Sequence, residues 1–357
     1  MGENEKKNIT IGDVAEALGV SKTTVSRAIS GKGRIGNETR QRVLEYIEKN
    51  NYRPNPMAKG LADQKKYNIC WAIPGDSNVY ALPFFQRCMA GVCEVTMATD
   101  YDVLISLVYE DNISHLERIV KNKKVDGVIL GRTMVNDLSV KYLKSMNIPF
   151  VTVGSTKEKG VIQVDNDQEK ACMEMTSALI KCGYKKLVLI GGSLSHMVNM
   201  ARQRGFEMGL EAAGIEVKPD MLLLGNETSK EVENAADLAV RSGAECIVCM
   251  DDSICRDVIL KLRKDGVCVP GDVGIASFYN SDLLAGSQPQ VTALQYDPKE
   301  LGNVACRTLL KLIDGEEVPE KSILGYKVLM KESTQKIDNS IMLSKKTLMQ
   351  SRKKGKI

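Results

Sequence analysis

The chain has 357 residues, too many for one compact unit, so two or three domains are expected. Hydrophobic residues make up 43% and charged residues 26%, a globular balance, and no apolar run is long enough to span a membrane, which excludes a transmembrane channel or carrier. The net charge of +4 is uneven: residues 1–62 carry about +4, the tail 331–357 about +6 and the middle about −6. A basic head on an acidic body fits nucleic-acid contact confined to the head. The first residues, Met1 to Lys7, lack the apolar centre of a signal peptide, so a cytoplasmic location is the expectation.

The first elements are helices. Thr10 followed by Asp13 is a capping box, which starts a helix at Ile11 or Gly12, with Val14 and Leu18 on its buried face and Gly19 as its C-cap. Ser21 caps a second helix with Val25, Ala28 and Ile29 inward and Lys22, Thr23, Ser26 and Arg27 outward. The short Gly19-Val20-Ser21 connection makes the two cross steeply, as in a helix-turn-helix unit. Long cations and small hydroxyls on such a face suit base edges and phosphates, although an ordinary helical hairpin has the same pattern of caps. Asn37 is expected to cap a third helix, Glu38 to about Asn50, with Val43, Leu44 and Ile47 inward. Asn55 and Pro56 can start one more short piece, Met57 to Leu61, that is too short to persist alone and is weakened by Gly60; a plain linker fits equally.

From Tyr67 the pattern changes to short β-rich runs between helices. The expected strands are 69–73, 103–108, 125–130, 150–153 and 161–164, then 186–190, 222–224, 246–250 and 273–277. Helical stretches at 85–97, 115–122, 167–181, 201–213 and 253–264 fall between them. Alternation of this kind gives doubly wound parallel sheets. The series suffices for two, divided near Asp165, with a ligand cleft between their carboxyl ends.

Catalytic chemistry has little support. The two histidines, His115 and His196, are far apart, and no Walker A motif is present. Cys246 and Cys249 form a C-x-x-C inside a run that reads as a buried strand, where neighbours point alternately and lack redox or zinc geometry. The ten cysteines read as free thiols. No cofactor, metal or catalytic residue is expected.

The separate signals converge on one resemblance. Thr10-Ile11-x-Asp13-Val14-Ala15, Gly19-Val20-Ser21-x-x-Thr24-Val25-Ser26-Arg27, Tyr52-x-Pro54-Asn55 and Ala58-Lys59-Gly60-Leu61 resemble the lactose-repressor (LacI/GalR) family of bacterial transcription regulators. In the body Val164-Asp165-Asn166-Asp167, Gly205-Phe206, Asp252-Ser253 and Val269-Pro270-x-Asp272-Val273 also fit, and the likeness runs from about Asn8 to Ser333. It implies an all-α helix-turn-helix domain at 8–53, a hinge at 54–66 and a two-lobed α/β effector domain of periplasmic-binding-protein type at 67–333. The lobes would be about 67–164 with 296–325, and about 165–295 with 326–333. The basic tail, 334–357, reads as a solvated end. The family reading makes the chain a repressor, a homodimer or higher assembly on a near-palindromic double-stranded operator, controlled by a small effector and free of membrane.

By motif position Lys22, Thr23 and Arg27 contact bases, with Ser21, Thr24 and Ser26 nearer phosphates. Thr10, Asn37 and Tyr52 complete the expected DNA-binding set in the head. In the hinge the set comprises Asn55, Ala58, Lys59 and Leu61, whose leucine wedges into the minor groove. Effector contacts are expected at Arg202, Phe84, Phe85, Asp252 and Tyr279. Core packing accounts equally well for the two phenylalanines; a surface helix position is the alternative for Arg202, and N-capping is the preferred account of Asp252. Where sugar-responsive members carry Gly-Phe-Asp-Asp, this chain has Ser277-Phe278-Tyr279-Asn280. A phenol cannot accept two hydroxyls as a carboxylate does, so the effector stays open between a sugar derivative and another metabolite. The competing readings are a metabolite sensor acting through protein partners and an enzyme on the same scaffold.

Overall fold

A computed structural model describes residues 9–31, 33–52, 60, 63–75 and 83–336. The chain divides into two compact units, Met1–Tyr67 and Asn68–Ile357. In the first, helices α1 (Ile11–Leu18), α2 (Lys22–Ser30) and α3 (Asn37–Lys49) enclose a small core. Val14, Ala15, Val25, Ala28, Val43 and Tyr52 are buried in it, with Ile47 and Tyr46 packed against them. Leu44, expected inward, is 43% exposed. Tyr46 takes that side of α3, because three residues on from Val43 keeps the same face while one residue on turns away by about 100°.

The caps explain where these helices begin and end. The Thr10–Asp13 capping box is complete, with the Thr10 N–H donating to the Asp13 carboxylate at 2.7 Å. Gly19 closes α1 at φ 66°, a left-handed conformation that costs a residue with a Cβ. The Thr24 N–H donates to the Ser21 hydroxyl at 3.1 Å, capping α2. The expected cap at Asn37 is corrected: Gly36 is the N-cap, makes no side-chain cap bond, and leaves Asn37 as the first helical residue.

The second unit carries two six-stranded sheets. The N-lobe sheet contains β1 (Asn68–Pro74), β2 (Asp102–Val108), β3 (Gly127–Leu130), β4 (Phe150–Val153) and β5 (Ile162–Asn166). The C-lobe sheet contains β6 (Leu187–Ile190), β7 (Leu222–Leu223), β8 (Cys246–Cys249), β9 (Gly274–Ser277) and β10 (Thr292–Gln295). The chain then adds β11 (Lys321–Leu324) to the N-lobe and β12 (Lys327–Leu329) to the C-lobe. The orders are β11-β5-β4-β3-β1-β2 and β12-β10-β9-β8-β6-β7, all pairs parallel except β10 with β12. Helices cover the faces: α4 (Pro83–Met97), α5 (Ser114–Lys121) and α6 (Leu138–Ser145) in the N-lobe, and α7 (Gln168–Lys181), α8 (Met197–Glu211), α9 (Ser229–Arg241) and α10 (Asp252–Lys264) in the C-lobe. The last helix, α11 (Pro298–Ile313), returns to pack on α4 and the N-lobe strands. The expected α/β doubly wound class is what the body adopts; the short strands β10, β11 and β12 were not anticipated.

Candidate functional site

In the head, α2 separates its residues cleanly. Val25 and Ala28 are fully buried, whereas Ser21, Lys22, Thr23, Ser26 and Arg27 are exposed and Thr24 is half-buried. The outward face therefore ends in two long cations and several hydroxyls. Lys22 lies over Gly12 at the start of α1, where an added Cβ would meet its Cε at 3.3 Å, and the Arg27 stem lies 3.2 Å from the corresponding position at Gly33. Both charged ends are carried by the packed helix pair rather than by a free loop. Thr10 is exposed at the N-terminus of α1 and Asn37 at that of α3. Tyr52 is only 8% exposed and belongs to the head's core. Asn55, Ala58, Lys59 and Leu61 lie outside the described residues.

In the body, the carboxyl ends of the two sheets enclose a cleft of about 930 Å³ lined by residues of both lobes, among them all five residues expected at an effector site. Phe84 and Phe85 sit in the first turn of α4, edge to face at 5.3 Å, Phe85 buried and Phe84 half-buried. Phe84 also meets Tyr279 edge to face at 5.9 Å across the cleft. Tyr279, 5% exposed at the end of β9, lies nearly parallel to Tyr296 at 6.2 Å. Burial pushes its phenol pKa up, away from ionisation. The cleft wall at this point is thus aromatic where a carboxylate would have accepted hydroxyls.

Arg202 is not a surface arginine: it is 8% exposed, with Nε donating to Gln168 Oε1 at 3.2 Å and Nη1 donating to the Met250 carbonyl at 2.8 Å. Its guanidinium stands 6.0 Å from the Tyr279 ring centroid. The cause is the close approach of α7 and α8. At Gly205 a Cβ would lie 2.3 Å from the Glu169 carbonyl, so only glycine lets α8 bring Arg202 against the first residue of α7. Two of the five guanidinium N–H donors are spent on protein, which fixes the direction of the rest.

Asp252 is corrected as a cap. Asp251 is the N-cap of α10, accepting from the Ile254 N–H at 2.8 Å, and the Asp252 carboxylate instead accepts from the Ser281 hydroxyl. That bond ties the turn after β9 to the start of α10 and leaves Asp252 4% exposed. Asp165, at the end of β5, also lines the cleft, which its place in the Val164–Asp167 motif does not reveal. It is 8% exposed, and burial pushes its carboxyl up to about 6 although the Asn166 N–H donates to it at 2.8 Å. Gln168 and Tyr296 were also missed as cleft-lining residues; nothing in their spacing marks them before the sheets are assembled. Cys246 and Cys249 are fully buried on β8, and all ten cysteines are free. Among the described residues no group of three His, Cys, Asp or Glu side chains is placed to hold a metal, and no helix is long and apolar enough to cross a membrane.

Comparison with known proteins agrees with both units. A family model described as bacterial regulatory proteins, lacI family, matches residues 10–55. A second, described as periplasmic binding proteins and sugar binding domain of LacI family, matches residues 69–332. Catabolite control protein A of Staphylococcus xylosus is 31% identical over 322 residues, covering 88% of this chain and 96% of that protein. Its counterpart in Priestia megaterium is 29% identical over 334 residues, covering 92% and 99%. The lac repressor dimer, solved with operator and the anti-inducer ONPF, has the same fold, with a TM-score of 0.76 at 21% identity over 92% of this chain and 99% of that one.

Proposed function

The chain belongs to the lacI family of bacterial regulatory proteins and is a DNA-binding transcription regulator rather than an enzyme, and from that premise we propose that it is a cytoplasmic repressor acting as a homodimer on a near-palindromic operator. The observation that carries this reading is the division of α2, buried at Val25 and Ala28 and exposed at Lys22, Thr23, Ser26 and Arg27. Lys22, Thr23 and Arg27 meet base edges, while Ser21, Thr24 and Ser26 serve phosphates. Thr10 and Asn37, exposed at helix N-termini, add backbone contacts. Tyr52 holds the head's core. In the hinge, Asn55, Ala58, Lys59 and Leu61 contact the DNA, and Leu61 opens a central base step.

The dimer reading is supported by apolar surface left exposed in each lobe. Ile105 and Leu107 on the edge strand β2 are 48% and 40% exposed, Met97 is 87% exposed, and Leu238 and Leu260 in the C-lobe are each 54% exposed. Faces of this kind are commonly covered by a second subunit.

The cleft binds a small polar metabolite, with Arg202 giving directed hydrogen bonds and Phe84, Phe85 and Tyr279 giving ring faces. Asp252 acts by holding Ser281 in place rather than by touching the ligand. A sugar derivative fits this wall better than a plain monosaccharide, because Tyr279 offers a ring and one hydroxyl in place of a carboxylate. A melting-temperature screen over monosaccharides, disaccharides and sugar phosphates tests the ligand class, since a compound binding the folded form raises the transition. Failure of every compound at ten-millimolar order would remove sugars from the reading.

A further inference from the structure

The chain crosses between lobes three times, after β5, after β10 and between β11 and β12, and every crossing lies on the edge strands or their immediate neighbours in the two sheets. Strands β3 and β6 stand fourth and fifth from those edges. With about 4.8 Å between neighbouring strands, the loops that follow them are roughly 10–19 Å from the crossings.

There the lobes meet a second time. Met134, in the loop after β3, and His196, in the loop after β6, face each other as an antiparallel bridge. The Val135 N–H donates to the Ser195 carbonyl at 2.8 Å, and the Met197 N–H donates to the Thr133 carbonyl at 3.1 Å. Each loop is braced from behind. The Asp137 carboxylate accepts from the Met134 and Val140 N–H groups, both at 3.0 Å, and the Thr133 hydroxyl donates to the Ser155 carbonyl at 2.7 Å. On the other side Asn199 donates to the Ser193 carbonyl at 2.8 Å.

The bridge also completes a helix. The N-cap of α8, His196, makes no capping bond with its side chain, and the first N–H of the helix goes to Thr133 of the opposite lobe. Rotation about the crossings parts both bonds and uncovers that N–H. The exposed Arg87–Asp282 pair at 2.6 Å also spans the lobes, but surface pairs of that kind hold little.

We propose that the Met134–His196 bridge is a latch that holds the two lobes closed at the cleft's far edge, so that the cleft opens only when it parts. Its bonds run backbone to backbone, so closure here is a property of the fold. A ligand then tunes an equilibrium that the latch already biases, instead of pulling open lobes together.

The test uses the full chain carrying Met134→Cys and His196→Cys. In a bridge whose bonds flank the facing residues, their Cα atoms are about 4.5 Å apart, inside disulfide range. Copper–phenanthroline should form the 134–196 disulfide in most molecules within minutes, located by peptide mass because Cys182 and Cys268 are also exposed. In the unaltered protein the Val135 and Met197 amides should exchange with deuterium roughly a hundredfold slower than a free peptide. Absence of the disulfide from a double variant that melts like the parent, or amide exchange at the free-peptide rate, overturns the latch. If the variant does not fold, the exchange measurement on the unaltered chain decides alone.

Discussion

Replacing Asp165 by Asn removes a charge that the fold makes costly and leaves an oxygen for the Asn166 N–H. Burial is the dominant cause of the raised carboxyl, outweighing the Asn166 and Ser155 donors and the nearby Lys321 and Arg202 cations. From 3.8 to about 6 is a change of roughly two units, or about 3 kcal/mol between protonation states. The folded protein holds this proton more tightly than the unfolded chain. The favourable contribution is therefore complete below about pH 4 and is lost as pH rises through about 6. At pH 7.5 the ionised side chain costs about 3 kcal/mol, of which roughly half is already felt at pH 5. Asp165→Asn should thus be more stable than the parent at pH 7.5, by up to about 3 kcal/mol, and the gap should narrow by roughly half at pH 5. Urea unfolding of both proteins at the two pH values measures it. An Asn variant no more stable at pH 7.5, or a gap independent of pH, would refute the assignment of the cost to buried charge.

Other perturbations separate the head from the cleft. Lys22→Ala and Arg27→Ala should each weaken operator binding by roughly ten- to a hundredfold, about 1–3 kcal/mol, with unchanged melting because both side chains are exposed. Thr10→Ala breaks the capping box and should lower the stability of the head by about 1 kcal/mol, read by circular dichroism. Leu61→Ala should weaken operator binding strongly in fluorescence anisotropy while any ligand-induced rise in melting temperature stays the same; equal operator affinity removes the wedge. Arg202→Ala should abolish the ligand response and, by stripping bonds from Gln168 and Met250, lower the melting temperature by a few degrees without unfolding the body. A normal ligand response in that variant excludes Arg202 from the site.

The head was legible because its signals are local. Thr10, Asp13, Gly19 and Ser21 act within a few residues, and each sits where its cap requires. Errors of one residue arose where neighbours are chemically alike or a glycine intervenes, as with Asp251 and Asp252 or Gly36 and Asn37. The body's central strands announce themselves as apolar runs, whereas β11 and β12 hold four and three residues with exposed lysines, and only pairing distinguishes them from loop. Arg202, Asp165 and Tyr296 become a group only when α8, β5 and the crossings are assembled. The interlobe bridge was invisible in principle, since it is made by peptide groups that every residue type except proline supplies.

The most direct test of the DNA-reading assignment is selection from a random duplex library with the full-length protein, followed by binding to the recovered sequence over a range of salt. The expected result is enrichment of one near-palindromic sequence, bound more tightly than scrambled DNA and with affinity falling steeply as salt rises. Recovery of no common sequence, with equal binding to scrambled DNA, would contradict it.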